Sequence, residues 1–151
     1  MDAIDRKILE YVQEKGRDTY AEIGAAVGLS VSAINERLKK LERAGMIKGW
    51  GAQVDPKAVG RGVLAFMFVL IDRPENENTL VDAICALPQV LECHHVTGDW
   101  SYLIKLRLAE VSEIETVLAD TIKQYPGAIR THTVLALSTR KDTPAILGLS
   151  T

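Results

Sequence analysis

"TYAEIGAAVGLSVSAINERLKKLERAG", residues 19–45, holds two helical apolar periods separated by a single glycine. It opens on "TYAE", the form of a capping box, in which the Thr19 hydroxyl and the Glu22 carboxylate satisfy reciprocal backbone donors. This predicts a short helix through Ile23 and Val27. Gly28 stops it, because glycine enters the left-handed conformation without a Cβ penalty. Leu29 then plugs the corner, and Ser30 caps the next helix, whose core face is Ile34, Leu38 and Leu41. Gly45 ends that helix. Upstream, Ile4, Ile8 and Val12 repeat at i, i+4 and i+8, the period of another helix. Helix, tight glycine turn, helix is the helix-turn-helix plan.

On a wheel of the third helix, Ser32, Glu36, Lys39 and Arg43 lie opposite the apolar stripe. Ala33 and Lys40 occupy one shoulder, Asn35 the other, and Arg37 flanks the core side. A major-groove reader needs this mix: small residues for close approach, amide or carboxylate groups for base edges, cations for phosphates. A solvated helix surface has the same composition, so the wheel alone leaves both readings open. The net charge of −2 argues weakly against nucleic acid, but the average hides segregation. Five of the nine Lys/Arg in residues 1–49 fall between Arg37 and Lys48, with Glu42 the only acid among them. Such a cluster steers DNA even on an acidic chain.

The pattern changes after Gly45. "MIKGWGAQVDPKAVG" reads as a short strand followed by a turn at Asp55–Pro56, and a strand pair there would make a winged variant. Residues 55–62, with Pro56, Gly60 and Gly62, read as a linker. Beyond them the order is strand ("VLAFMFVLI"), helix ("NTLVDAICAL"), strand ("QVLECHHV"), strand ("SYLIKLRL"), helix ("VSEIETVLADTI"), strand ("AIRTHTVLALS"). That is the split βαββαβ, ferredoxin-like arrangement. An internal echo supports it: residues 87–96 align with 125–134, pairing Pro88 with Pro126 and His94 with His132.

The first of these strands is apolar throughout. An antiparallel sheet normally shows one face to water, so continuous apolarity predicts that both faces are covered. Helices cover one. A second copy of the chain is the expected cover of the other, giving a homodimer; the C-terminal "AILGLS" is the competing cover. The longest apolar run, nine residues, is too short to cross a bilayer as a helix, and "MDAIDRKILEYVQ" is not a secretory signal. These features predict a cytoplasmic protein with Cys85 and Cys93 reduced.

"HVTGDWSYLI", residues 95–104, looks like catalytic machinery. His94 and His95 are adjacent on a strand, so they point to opposite faces and cannot chelate one ion together. The strands of His94 and His132 are the outer two in the expected order. Ser101 lacks the G-x-S-x-G context, and the chain has no P-loop or G-x-G-x-x-G. No metal site, cofactor or catalytic residue is expected. Trp100 and Tyr102 alternate and are expected on one strand face, packing between subunits and against a ligand.

Taken together, "IDRKILEYVQEKGR", "GLSVSAINERLKKLERAGMIKGWGAQVDPKAVG", "VLECHHVTGDWSYLIKLRL" and "YPGAIRTHTVLAL" resemble the Lrp/AsnC, or feast/famine, transcriptional regulators from Ile4 to about Ser138. The resemblance implies an α+β chain: a winged helix-turn-helix that binds operator DNA, then a ferredoxin-like sensing domain of the ACT/RAM type. It implies dimers, often octamers, and small effectors, usually amino acids, bound near the Gly-Asp turn. The expected division is 1–50 for DNA binding, 51–62 for strand and linker, 63–140 for sensing and oligomerisation, and 141–151 for a tail. Ser30, Ser32, Asn35, Glu36, Arg37, Lys39, Lys40 and Arg43 fall on the DNA-reading element. Ser32, Asn35 and Glu36 are expected at base edges; Arg37, Lys39, Lys40 and Arg43 at phosphates of double-stranded DNA. Thr97, Gly98, Asp99, Trp100, Ser101 and Tyr102 fall on the effector loop.

One departure stands out. The family pattern is Gly-Asp-x-Asp-Tyr, and its second Asp is here Ser101, which cannot pair with an ammonium group as a carboxylate can. This leaves room for an effector-independent architectural DNA-binding protein of the same fold. Sirohaem decarboxylases also resemble this family in both domains. They carry a Trp-Pro-Tyr-Asn pattern where this chain keeps Gly98-Asp99, which argues against that enzyme.

Overall fold

The computed structural model describes residues 1–72, 74–125 and 127–149, in two compact units. One is Met1–Ala52 together with the chain from Lys141; the other is Gln53–Arg140. Among the described residues no helix is long and apolar enough to cross a membrane.

The first unit is three helices, α1 (Ala3–Glu14), α2 (Tyr20–Val27) and α3 (Val31–Arg43). Each start is fixed by a side chain. Asp2 and Asp5 form a capping box on α1, with Asp5 N–H donating to Asp2 Oδ1 at 2.8 Å and Asp2 N–H to Asp5 Oδ2 at 3.0 Å. The Thr19–Glu22 box on α2 forms as read from the sequence. The Ser30 hydroxyl caps α3 by accepting from Ala33 N–H at 3.3 Å. Gly28 ends α2 at φ 78°, and Gly45 follows α3 at φ 68°. Ile8, Leu9, Val12, Ile23, Ile34, Leu38 and Leu41 make the core, with Leu29 packed at its edge.

Gly24 adds a constraint that the pattern did not show. A Cβ there would lie 2.5 Å from the Leu29 carbonyl oxygen, so the corner closes only on a glycine. The Leu29 and Gly28 amides both donate to the Gly24 carbonyl, at 2.9 and 2.8 Å.

The short strand expected after Gly45 is not formed: among the described residues no strand lies between α3 and Val63. A strand needs a neighbouring edge to pair with, and this unit is otherwise helical. Trp50 is anchored instead by its Nε1–H, which donates to Glu42 Oε1 at 2.9 Å, while its ring lies against Gly16. The Asp55–Pro56 turn is present, with Asp55 Oδ1 accepting from Lys57 N–H at 2.9 Å. The C-terminal segment is clipped to α1. Gln13 accepts from Ile146 N–H at 2.7 Å and donates to its carbonyl at 2.8 Å, and Leu149 N–H donates to Glu10 at 2.7 Å. The tail is thus grouped with the helical unit.

The second unit follows the βαββαβ order: β1 (Val63–Ile71), α4 (Pro74–Cys85), β2 (Val90–His95), β3 (Tyr102–Leu108), α5 (Glu113–Asp120), a 3-10 turn (Ile122–Gln124) and β4 (Ala128–Leu135). The four strands are antiparallel in the order β2-β3-β1-β4. β2 and β4, the two strands of the internal echo, are thus the outer ones; Pro126 lies outside the described residues. The helices cover one face. Ala65, Met67, Val69, Ile104, Leu106 and Leu108 are buried there against Leu80, Ile84, Val117 and Ile122. The alternate residues of β1, Phe66, Phe68 and Leu70, face the other side and are only half-buried.

Gly24→Ala tests the corner. We expect it to destabilise the helical unit by about 1–3 kcal/mol, the usual cost of forcing a methyl into packed structure. The check is chemical denaturation followed by helical circular dichroism, with Gly28→Ala for comparison.

Candidate nucleic-acid interface and effector loop

The outer face of α3 is set by what its inner face buries. With Ile34, Leu38 and Leu41 in the core, Ser32, Glu36, Lys39, Lys40 and Arg43 are exposed and Asn35 is half-buried. Ser30 and Ser32 share a hydrogen bond of 3.1 Å between hydroxyls, so Ser32 is tied to the cap. Arg37, expected at a phosphate, is engaged within the unit. Its Nη1 lies 2.6 Å from Asp5 Oδ1 and 2.7 Å from Asp2 Oδ2, so its charge is drawn back onto α1. Burial favours this: the Asp5 side chain is only 1% exposed, and an unpaired carboxylate there would be costly. Lys40 Nζ stands 4.0 Å from Asp5 Oδ2 but is 68% exposed, leaving it accessible.

The Arg37 guanidinium and the Asp5 amide hold the Asp2 carboxyl down at about 2. Burial pushes Asp5 up, but the hydrogen bonds from Asp2 N–H and Arg37 outweigh it, and its pKa also lies below the ordinary value. Arg37 is raised by the same two partners, Asp2 first.

The β2–β3 turn passes through Gly98 at φ 107° with Thr97, Gly98 and Asp99 exposed. Ser101 closes it. Its N–H donates to the Val69 carbonyl at 2.9 Å and its carbonyl accepts from Val96 N–H at 3.0 Å. Its hydroxyl accepts from Ile71 N–H at 3.0 Å and reaches the Ile71 carbonyl at 3.4 Å. Ser101 is therefore engaged with the β1 backbone.

Trp100 and Tyr102 do not share a face. The Trp100 ring lies beside Phe68 (centroids 5.8 Å apart) and His132 (6.1 Å), on the face opposite the helices, with Arg130 Cζ 4.5 Å from its centroid. Tyr102 turns to the helix side, where its hydroxyl donates to Glu77 at 2.7 Å and His95 stacks on its ring at 5.0 Å. Burial and then Glu77 push the Tyr102 hydroxyl up to about 12. Residue 100 precedes the β3 ladder, so strand alternation does not extend to it. His94 lies by Glu92, 3.2 Å away, on the opposite face from His95; the three histidines occupy three different settings. The sequence pattern singles out neither Arg130 nor Asp5. Their significance lies in partners far along the chain.

A sequence model described as the Lrp/AsnC ligand binding domain matches residues 64–146, and one for winged helix-turn-helix DNA-binding matches residues 1–48. The chain belongs to the Lrp/AsnC family. It is 34% identical to the HTH-type transcriptional regulator FL11 of Pyrococcus horikoshii, over 95% of this chain and 93% of that one. It is 33% identical to the leucine-responsive regulatory protein of Escherichia coli, over 94% and 88% of the two chains. Among solved structures, a Neisseria meningitidis transcriptional regulator in complex with L-Met superposes with a TM-score of 0.92 at 30% identity, covering 97% of this chain and 96% of that one. Lrp/AsnC membership accounts for the helix-turn-helix followed by a βαββαβ sheet, and the relatives named here are transcriptional regulators.

Because Asp2 and Asp5 are depressed in the folded unit, the stability they give is complete above the ordinary carboxylate range and lost as pH falls toward about 2. Arg37→Met should abolish most of that acid dependence and cost about 2 kcal/mol at neutral pH, since it strands buried Asp5. Denaturation midpoints of both proteins between neutral pH and acid provide the check.

Proposed function

We propose that this chain is a sequence-specific DNA-binding transcriptional regulator whose DNA affinity or assembly is modulated by a small effector of the amino-acid class. The observation that carries the reading is the exposed α3 face, polar and basic, on a stand built by the Ser30 cap and the helix-turn-helix core. Ser32, Asn35 and Glu36 read base edges; Lys39, Lys40 and Arg43 neutralise phosphates. Arg37 holds α3 to α1. The division into 1–50 for DNA binding, 51–62 as connection, 63–140 for sensing and 141–151 as tail belongs to this reading. The L-Met complex of the Neisseria relative supports an amino-acid effector, and Thr97, Gly98, Asp99 and Trp100 are the residues of the turn that would meet it.

The half-buried row Phe66, Phe68 and Leu70 supports a homodimer through the open face of the sheet, building toward higher oligomers such as octamers. A cytoplasmic, non-enzymatic protein fits this role. Effector binding shifts the assembly equilibrium and, through it, how DNA is held.

Two measurements test these roles. Lys40→Ala should weaken binding to all DNA sequences alike and flatten the salt dependence by about one unit; altered sequence preference with an intact slope would remove it from the phosphate set. Asp99→Ala should leave assembly and DNA binding in place but abolish the response to amino acids in a DNA-binding titration. A wild-type protein that binds operator DNA yet responds to no amino acid would instead favour the architectural reading.

A further inference from the structure

Residues 145–149 have no regular secondary structure, yet they are held on α1. Ile146 and Leu147 are 69% and 54% exposed, so their side chains do not hold them. The main chain does. The Gln13 side-chain amide accepts from Ile146 N–H at 2.7 Å and donates to the carbonyl of the same residue at 2.8 Å. A side-chain amide presents donor and acceptor side by side, the complement of what one residue of extended chain offers. Gln13 Nε2 also donates to the Leu9 carbonyl at 3.0 Å, which ties the amide to its own helix. One turn earlier on α1, Glu10 accepts from Leu149 N–H at 2.7 Å. Gly148, at φ 75°, turns the chain between the two anchors. Leu149 alone adds an apolar side chain, at the edge of the helical core.

The same stretch of chain is also fixed to the sheet, where Ala136 N–H donates to the Leu64 carbonyl at 2.9 Å. The chain leaves the helical unit after Ala52 and rejoins it at Lys141. With residues 145–149 docked, two stretches of chain connect the units; undocked, one does. Hydrogen bonds at a surface add little net stability, and the entropy lost in ordering the chain opposes them. That balance makes the docking reversible. We propose that Glu10 and Gln13 form a main-chain-reading site on α1, and that residues 145–149 of the same chain are its occupant, a releasable strap joining the sheet unit to the helix-turn-helix. The strap ends on the helix whose Asp2 and Asp5 hold Arg37 of α3, so it braces the DNA-reading element. The bracing role rests on the function proposed above; the docking does not.

The experiment is amide hydrogen exchange of the full-length protein, resolved to single residues, on wild type, Gln13→Ala, Ile146→Pro and the double variant. In wild type, Ile146 and Leu149 should exchange slowly, while Leu147 and Gly148 exchange as free chain. Gln13→Ala keeps a good helix former and should speed Ile146 and Leu149 together by about tenfold or more. Trypsin cleavage after Arg140 and Lys141 should quicken by the same factor, with the amides of α2 and α3 unchanged. Ile146→Pro removes the donor from the other side and should speed Leu149 as much; the double variant should add nothing further. Four amides exchanging alike in wild type, or Leu149 remaining slow in Gln13→Ala, overturns the strap. In a DNA-binding titration with the L-amino acids, Gln13→Ala should blunt the wild-type response, and an unchanged response overturns the bracing role. A wild type that responds to none of them fails the effector reading, while the exchange pattern still decides the strap.

Discussion

A strand hands its side chains to two faces in turn, and β1 has no polar residue to hand to either. It is also central, paired with β3 on one side and β4 on the other, so it cannot shed an apolar face at an edge. The helices take Ala65, Met67 and Val69. Phe66, Phe68 and Leu70 are left in a row flanked by the cations of the neighbouring strands, with Lys105 beside Phe66 and Arg130 beside Leu70. Each large apolar side chain gains about 1.5–3 kcal/mol from full burial, so a half-buried row of three is a standing drive toward association. The same row gives Trp100 something to lean on, and Arg130 Cζ lies over the Trp100 ring. The core, the open face and the geometry beside the Gly-Asp turn all follow from one apolar strand.

What was legible from the sequence is what local interactions decide. Thr19 and Glu22, Ser30 and Ala33 are each three residues apart, and Gly28 acts on its own backbone. The helix-turn-helix could be read almost residue by residue for that reason. The order of strands and helices was equally plain, because each carries its period within itself. The strand expected after Gly45 does not form because a strand exists only with a partner, and among the described residues of their unit those around Trp50 have none. Counting in twos puts Trp100 and Tyr102 on one face. The count fails because Ser101 is held by Val69 and Ile71, outside the ladder of β3.

Ion pairs were the least legible part of the site. Asp5 and Arg37 are 32 residues apart and each reads as an ordinary surface charge. Folding brings them together because Asp5 caps α1 from within while Arg37 sits on the core side of α3. A buried pair of this kind adds little net stability over an apolar replacement. It is directional, however, and here it fixes which faces of α1 and α3 meet. The rotation of the α3 outer face is therefore set partly by charge, where the apolar stripe alone would tolerate slip.

That pairing also changes the electrostatic account of the helix-turn-helix. Arg37 is drawn onto α1, which by itself would weaken the case. Its partners are two acids, though, and one of them, Asp5, is buried with it against α1. Glu42, the acid inside the basic cluster, is held by the Trp50 indole. One guanidinium offsets one of these two carboxylates, and the negative charge that is left lies on the α1 side of the unit. Lys39, Lys40 and Arg43 then project from the outer face of α3 with only Glu36 among them exposed without such a partner. A chain that is acidic on average can thus present a basic face, because the acids that meet Arg37 lie on α1 while Lys39, Lys40 and Arg43 project from α3.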